Sequence, residues 1–543
     1  GCLTGGSISS IRAIGMFLIY ILADVLGESY DSLTALALMA DLLVIDNPLV
    51  LKNISFIYSF GAILCILLIV LPISKGYMKL CNQRDRLRIY DNGYSDKNKV
   101  PLAARFVKWL VGSMVFSVGI YVSMLPIVTN MNYETPIYSA FLNMLLLPMM
   151  PFLLGFGLIG GFIGLLSISF ARLILFPCHI VITCFKTAAA IASKMPFATA
   201  IIGKHGVFRT VAFYILMAII VRALENRMDY YNGACSINPR ARLSKCSRTF
   251  VVACIMGICV GLLWFIPTKH SFEIDILDVG QGDGIYISSG DGVSFFIDGG
   301  STSSDAVGKY TMEPFLKYKG VSRIDYWFLS HMDLDHVSGV LELLNLGYEI
   351  DNIVLSSEIP EGDTLTELLE LARKNHTNIL YMKQGDICGT KHLKFKCIFP
   401  SDKYTSDDIN ALSLCLLMEY DEDLDGDCEY SGFFGGDIGQ EQERAIADSG
   451  LITHVNLLKV SHHGSRFSSD EEFLAKLSPD IAVVSCAKVN RYGHPADEAV
   501  ARLEKSAGKI YYTMNSGRVR INERGIDEYV KIPFSFTKGG LVE

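Results

Sequence analysis

The sequence is short of several things, and each absence narrows its reading. It opens Gly1-Cys2, without an initiator methionine or a signal-peptide pattern. Membrane-like sequence begins almost at once, so the chain is expected to be a piece whose N-terminal part is missing. Among fourteen cysteines there is no CxxC pair and no zinc-knuckle spacing. Five of them (Cys388, Cys397, Cys415, Cys428 and Cys486) fall after residue 270, an odd number. Cys388 and Cys397 can face each other across a hairpin, but scattered buried thiols are the plainer reading. No Walker-type nucleotide loop is present, so any ATP-driven motor has to be a separate protein.

What is present is unevenly spread. Half of the 543 residues are hydrophobic, and the long apolar runs lie before residue 271. Residues 271–543 carry 25 Lys+Arg against 45 Asp+Glu, a net −20; the remainder carries 23 against 11, a net +12. The overall −8 therefore hides a basic membrane part, 1–268, and an acidic soluble part, 269–543.

Spans need about 20 mostly apolar residues. The candidates are Ile11–Leu26, Leu33–Leu49, Ile54–Ile73, Phe106–Val128, Ala140–Ile168, Leu173–Ala192, Val207–Val221 and Phe250–Ile266. The first, second and seventh are short. Two prolines and five glycines between Pro148 and Gly164 predict a broken helix there, either lining a cavity or making a close packing face. Asp24, Asp41 and Asn143 are the notable polar residues within spans, with Arg172 and Arg209 near boundaries. Nine basic residues between Lys75 and Lys108, and six between Arg222 and Arg248, mark cytoplasmic loops, whereas Asn130–Tyr138 has none. The last span then runs outward, and the soluble part is expected outside the cell. Leu173–Ala192 has to cross for this count to close; the alternative is an interfacial helix there and a crossing elsewhere.

In the soluble part, one loop concentrates potential ligands. The apolar run Ile324–Leu329 reads as a buried strand, and Val340–Leu344 as early helix. Between them stand His331, Asp333, Asp335 and His336. Two imidazoles and two carboxylates in six residues are the makeup of a two-metal hydrolytic site. The same grammar, a strand and then a polar loop, recurs at Asp298-Gly299-Gly300, at Gly436-Asp437, at His462-His463-Gly464-Ser465 and at Asn490-Arg491-Tyr492-Gly493-His494. Adjacent histidines at a strand end point apart, so one of His462 and His463 is expected to be a direct ligand. Two stacked sheets flanked by helices, an α/β sandwich of αββα type, would gather these loops on one rim.

Taken jointly, Leu277-Asp278-Val279-Gly280-Gln281-Gly282-Asp283, Ile297-Asp298-Gly299, the His-x-Asp-x-Asp-His loop, Gly436-Asp437, His462-His463-Gly464-Ser465 and Asn490–Pro495 resemble the C-terminal metallo-β-lactamase-fold domain of ComEC-type DNA internalization (competence) proteins. Ser10–Ala13, Asn47-Pro48-Leu49 and Asn143–Pro148 resemble that family's channel domain. The resemblance implies a polytopic helical channel for single-stranded DNA, an outer domain that degrades the other strand of a duplex, and separate DNA-receptor and ATPase proteins. It implies two divalent metals held by His331, Asp333, Asp335, His336, Asp437 and His462 or His463, with Asp437 bridging. Asp333 stands where most of the superfamily has His, which keeps manganese beside zinc as a metal. His494 is implied as acid or hydrogen-bond donor, Asp335 and Asp437 as catalytic carboxylates, and Ser465, Asn490 and Arg491 as substrate contacts. Asp298 and Asp278 are implied to orient ligands. The −20 charge opposes duplex binding unless Lys488, Arg491, Arg502, Lys505, Lys509, Arg518, Arg520 and Arg524 share one face. A small-molecule metallohydrolase anchored by its spans, and a transporter that binds DNA without cutting it, are the alternatives.

Overall fold

The computed structural model describes residues 7–91, 101–233, 238–267, 271–401, 404–522 and 525–526. The chain divides into two compact units, Gly1–Pro267 and Thr268–Glu543.

The first unit is helical: α1 (Ile8–Leu26), α2 (Ser32–Asp46), α3 (Ile54–Cys65), α4 (Leu71–Asp91), α5 (Leu102–Asn132), α6 (Ser139–Leu146), α7 (Met150–Gly164), α8 (Ile168–Ser193), α9 (Val207–Gly233) and α10 (Pro239–Leu263). Strands β1 (Glu134–Pro136) and β2 (Thr199–Ile201) pair antiparallel. Among the described residues, α1, the α3–α4 run, α5, α8, α9 and α10 are each long and apolar enough to cross a membrane. Together α6 and α7 make a seventh candidate, bent by 53°. The break falls at Leu147–Met149, ahead of the glycines, which lie within an unbroken α7. Pro148 and Pro151 explain its place, because neither can donate to a preceding carbonyl.

The expected span Leu33–Leu49 is corrected. Asn47-Pro48 ends α2 after 15 residues and turns the chain into a short 3₁₀ segment. At 1.5 Å per residue α2 is about 22 Å long, short of a hydrocarbon core of about 30 Å.

The two ends of this unit differ chemically. At one end the basic stretches meet: Lys79 pairs with Asp229 at 2.8 Å, and Lys108 with Asp85 at 3.2 Å. At the other, Trp264 donates to Thr129 Oγ1, Asn130 donates to Thr210, and Arg209 donates to the carbonyls of Leu263, Trp264 and Ile266. The β1–β2 pair joins the C-terminal ends of α5 and α8. The α6–α7 pair and α8 therefore leave one end and return to it, and α10 finishes at that same end.

The second unit contains two sheets. One has the order β17-β16-β3-β4-β5-β6-β7-β8, the other β15-β14-β13-β12-β11-β10-β9. Their ranges are β3 (Phe272–Ile276), β4 (Ile285–Ser289), β5 (Ser294–Ile297), β6 (Arg323–Phe328), β7 (Glu349–Ser356), β8 (Asn378–Met382), β9 (Ile387–Gly389), β10 (Leu393–Phe399), β11 (Cys415–Tyr420), β12 (Tyr430–Phe434), β13 (Leu457–Lys459), β14 (Ile481–Val484), β15 (Lys509–Tyr512), β16 (Val519–Asn522) and β17 (Gly525–Ile526). Ile274, Phe295, Phe328, Phe395, Leu416 and Val483 fill the space between the sheets. Helices α11 (Glu313–Lys319), α12 (Leu334–Leu346) and α13 (Asp363–Lys374) cover the first sheet. Helices α14 (Gln440–Asp448), α15 (Glu471–Leu477) and α16 (Asp497–Ser506) cover the second. This is the αββα sandwich. Central strands are buried on both faces, as expected where helices cover each sheet.

Cys388 stands opposite Phe395, not Cys397, and the described cysteines are free thiols. The eight cations do not act together as one free basic face. Arg518 and Arg520 of β16 pair with Asp275 and Glu273 of β3, which Lys319 of α11 also holds, so these cations neutralise buried carboxylates. Arg502 is tied to backbone carbonyls and Lys505 to Glu471. Arg524 lies outside the described residues.

Candidate metal centre

The functional side chains sit where strands run out into loops on one rim. β6 ends at Phe328, and Ser330–Asp333 lead into α12, so His331 and Asp333 precede the helix while Asp335 and His336 occupy its first turn. β12 delivers Asp437, and β13 delivers His462 and His463. Both histidines adopt left-handed backbone angles, φ 51° and 53°. Such angles cost a non-glycine residue about 1 kcal/mol or more and persist where the surroundings enforce them.

Asp437 is the hub. Its Oδ1 lies 3.3 Å from His336 Nε2, and its Oδ2 lies 3.5 Å from His463 Nε2 and 3.9 Å from His462 Nε2. His463 Nε2 is also 3.6 Å from Asp335 Oδ2. Asp335, His336, Asp437 and His463 thus offer four ligand atoms within 4.8 Å of one another. His331 stacks beside His336 with ring centroids 4.1 Å apart, and its Nε2 lies 3.7 Å from Asp333 Oδ2. The left-handed turn brings both adjacent histidines to the hub, where the sequence suggested one; His463 is buried and His462 partly open.

The donor set fits a metal. Asp298 Oδ2 accepts from His336 Nδ1 at 3.0 Å, and the Ser485 carbonyl accepts from His463 Nδ1 at 3.0 Å. With Nδ1 engaged in this way, each Nε2 presents its lone pair inward. The Nε2 atoms of His331, His336 and His463 and Oδ1 of Asp437 are buried without a hydrogen-bond partner. Buried polar atoms are normally satisfied, so the orphans of His336, His463 and Asp437, which lie within one cluster, mark a place for a cation, with that of His331 on the adjoining ring.

Electrostatics shows that the buried carboxylates favour positive charge here, which protons on the imidazoles supply and a cation would replace. Burial opposes charge on His463, yet Asp437 and Asp283 push its pKa up to about 10. Burial likewise opposes charge on His336, and Asp437 and Asp298 hold it well above the usual imidazole range. Burial would raise Asp437, but His463 and His336 keep it well below the ordinary carboxylate value. His494 is different: burial, with His463 and His462 nearby, presses it down to about 4, leaving it neutral at pH 7. Its ring lies 5.7 Å from His462 and 6.2 Å from His463. Asn490 shapes its loop, accepting from the Tyr492 and His494 amides and donating to the His494 carbonyl. Arg491 is exposed above Tyr492, and Ser465 is buried just past the histidines.

Asp298 serves as expected, also accepting from the Ser330 amide and hydroxyl. Asp278 does not. It is exposed, and its Oδ1 accepts from Gly280 N within its own turn. The residue that reaches the ligands from that motif is Asp283, whose Oδ1 lies 3.6 Å from His463 Nδ1. Lys459, fully buried, donates to Asp283 Oδ2 at 2.5 Å. Ser413 is a further omission; its Oγ sits 3.5 Å from His331 Nδ1 and accepts from the Asp437 amide. A lysine inside an apolar strand was the available signal for Lys459; nothing local marks Ser413.

The "Competence protein" family matches residues 1–227, and the "Metallo-beta-lactamase superfamily" matches residues 277–348. The chain is 26% identical to ComE operon protein 3 of Bacillus subtilis over 95% of its own length and 62% of that protein's. It is 24% identical to Recombination protein 2 of Haemophilus influenzae over 96% of its own length and 61% of that protein's. Competence protein ComA of Neisseria gonorrhoeae is 25% identical over 46% of this chain and 32% of its own length. The chain thus spans about three fifths of the first two relatives. With a Competence match followed by a metallo-β-lactamase match, the chain is similar in both its parts to the ComEC-type competence proteins.

Proposed function

We propose that this chain carries DNA across the cytoplasmic membrane with its first unit and hydrolyses phosphodiester bonds of the non-transported strand with its second. The convergence of two orphaned imidazole nitrogens, those of His336 and His463, on Asp437 carries the hydrolytic reading. His331, Asp333, Asp335, His336, Asp437, His462 and His463 would hold two divalent metals, zinc or manganese, with Asp437 between them. Bound there, such ions supply Lewis-acid stabilisation of charge at phosphorus and a nucleophile at neutral pH.

The chain's own groups do the rest. Asp298, Asp283 and the Ser485 carbonyl fix the imidazole orientations. Neutral His494 offers a ring N–H to a phosphate oxygen, and Arg491 a guanidinium. The basic end of the first unit suits the cytoplasmic side by the positive-inside rule. The second unit, leaving from the opposite end of α10, then lies outside, where a separate receptor would deliver DNA, while a separate ATPase would pull the transported strand from the cytoplasmic side.

The test uses the whole chain in nanodiscs with labelled DNA and manganese, zinc or magnesium, beside an Asp335→Ala/His336→Ala variant. Cleavage by the wild type and none by the variant is expected. No cleavage with any metal by a folded, metal-loaded protein would overturn the nuclease reading.

A further inference from the structure

The rim around the metal centre carries exposed apolar side chains. Phe467, four residues past His463, is 70% exposed, and no other phenylalanine of the second unit is exposed among the described residues. Leu334, between Asp333 and Asp335, is 55% exposed, and Val489 is 87% exposed. On the loop that carries Val489, Tyr492 stacks on His494 at 5.6 Å and 22°, and the Arg491 guanidinium lies 4.8 Å over the tyrosine ring.

Phe467 is held open by its backbone. Arg502 donates to the carbonyls of Arg466, Ser468 and Ser469, and the Gln440 amide donates to the Phe467 carbonyl at 2.8 Å. Gln440 itself lies three residues past Asp437, so the ring is fixed to two of the ligand loops. An aromatic ring clamped open beside a buried metal centre is a platform, because its burial in the protein's own core has been forgone. Arg466, Lys488 and Arg491 are exposed on the same loops, in a unit whose net charge is strongly negative.

Aromatic rings interleaved with a few cations are how proteins hold unpaired nucleotides. Bases stack on rings whatever their identity, while the bases of a duplex are already stacked and out of reach. A duplex groove would instead demand an extended basic surface, and Arg518 and Arg520 are spent inside the fold.

We propose that Phe467 stacks an unpaired base of the strand held for cleavage, with exposed Leu334, Val489 and the Arg491–Tyr492 pair on the other ligand loops completing the contact. The second unit thereby selects single-stranded DNA or frayed ends over internal duplex. This rests on the nuclease reading above and names its substrate.

The experiment compares wild type, Phe467→Ala and Phe467→Trp in nanodiscs with manganese. The probes are a single-stranded oligonucleotide, an abasic strand of equal length and charge, and a blunt duplex; anisotropy reports binding, and gels report cleavage. Wild type should prefer the normal strand to the abasic one by on the order of tenfold, the scale of one stacked base. Phe467→Ala should lose that preference, binding and cutting the normal and abasic strands alike; Phe467→Trp should keep the preference. Equal handling of normal and abasic strands by wild type, or an unchanged preference in Phe467→Ala, would overturn the proposal. The rim would then serve a protein or lipid contact. Absence of cleavage of every probe would instead strike the nuclease reading.

Discussion

Lys459 shows what one residue has to do in this site. It is a fully buried cation whose partner, Asp283, lies against a ligand histidine. Removing one member of a buried pair strands the other, at a cost of about 3–5 kcal/mol. Lys459→Met should therefore lower the denaturation midpoint steeply, and Lys459→Met/Asp283→Asn should recover most of the loss; equal destabilisation by both variants would refute the pairing. Glu443 makes a second case at this scale. Its Oε2 accepts from the Asp470 amide at 2.7 Å, and burial pushes its carboxyl up to about 7, from an ordinary 4.5. The native state then holds a proton that the unfolded state has released. Stability from this group is complete below about pH 4.5 and falls by about 3 kcal/mol as pH rises past 7. The stability difference between wild type and Glu443→Gln, measured by denaturation from pH 5 to 8, should shift toward the variant as pH rises. The residues of the candidate centre stood out in sequence because histidines and carboxylates crowded into six residues have few uses. Asp278 and Asp283 were not distinguishable there, because which of two acids in one glycine-rich turn faces inward is set by packing against β13.

At the scale of elements, close backbone approach builds the site. Gly282, at φ 149°, lies where a Cβ would stand 2.3 Å from Gly300 O and 2.5 Å from Asp335 O. At Gly300 a Cβ would stand 2.3 Å from Leu334 O and 2.6 Å from His336 N. Two loops thus press backbone to backbone against the ligand turn. Gly300→Ala should cost about 3 kcal/mol or more through forced displacement of that turn. Thermal unfolding reads the loss, and metal affinity should fall with it; wild-type values for both would contradict the packing account. The strands of the sandwich were readable from their apolar runs. The end of α2 was less so, since apolar composition continues through Leu49 while Asn47-Pro48 has already stopped the helix. In the first unit, the β1–β2 pair makes a topological statement. Cysteines introduced singly at the exposed Pro136 and Thr199 should label from the same side of the membrane with an impermeant maleimide. Opposite-side labelling would remove α8 as a crossing.

For the whole molecule, the charge division matches the labour proposed for each unit. A basic end and an apolar belt suit a bilayer, and in the acidic second unit Lys319, Arg518 and Arg520 are drawn into a network with buried carboxylates. That network was hidden in the sequence: Arg518 and Arg520 read as surface charge until β16 pairs with β3 and meets Glu273 and Asp275. The central claim is that Asp437 joins two cation sites on the sandwich rim. Metal content per chain, by inductively coupled plasma mass spectrometry on the full-length protein dialysed against trace manganese and zinc, tests it most directly. The account expects two equivalents in the wild type and a large loss in Asp437→Ala. A folded wild type holding no metal, or an Asp437→Ala variant holding two, would contradict it.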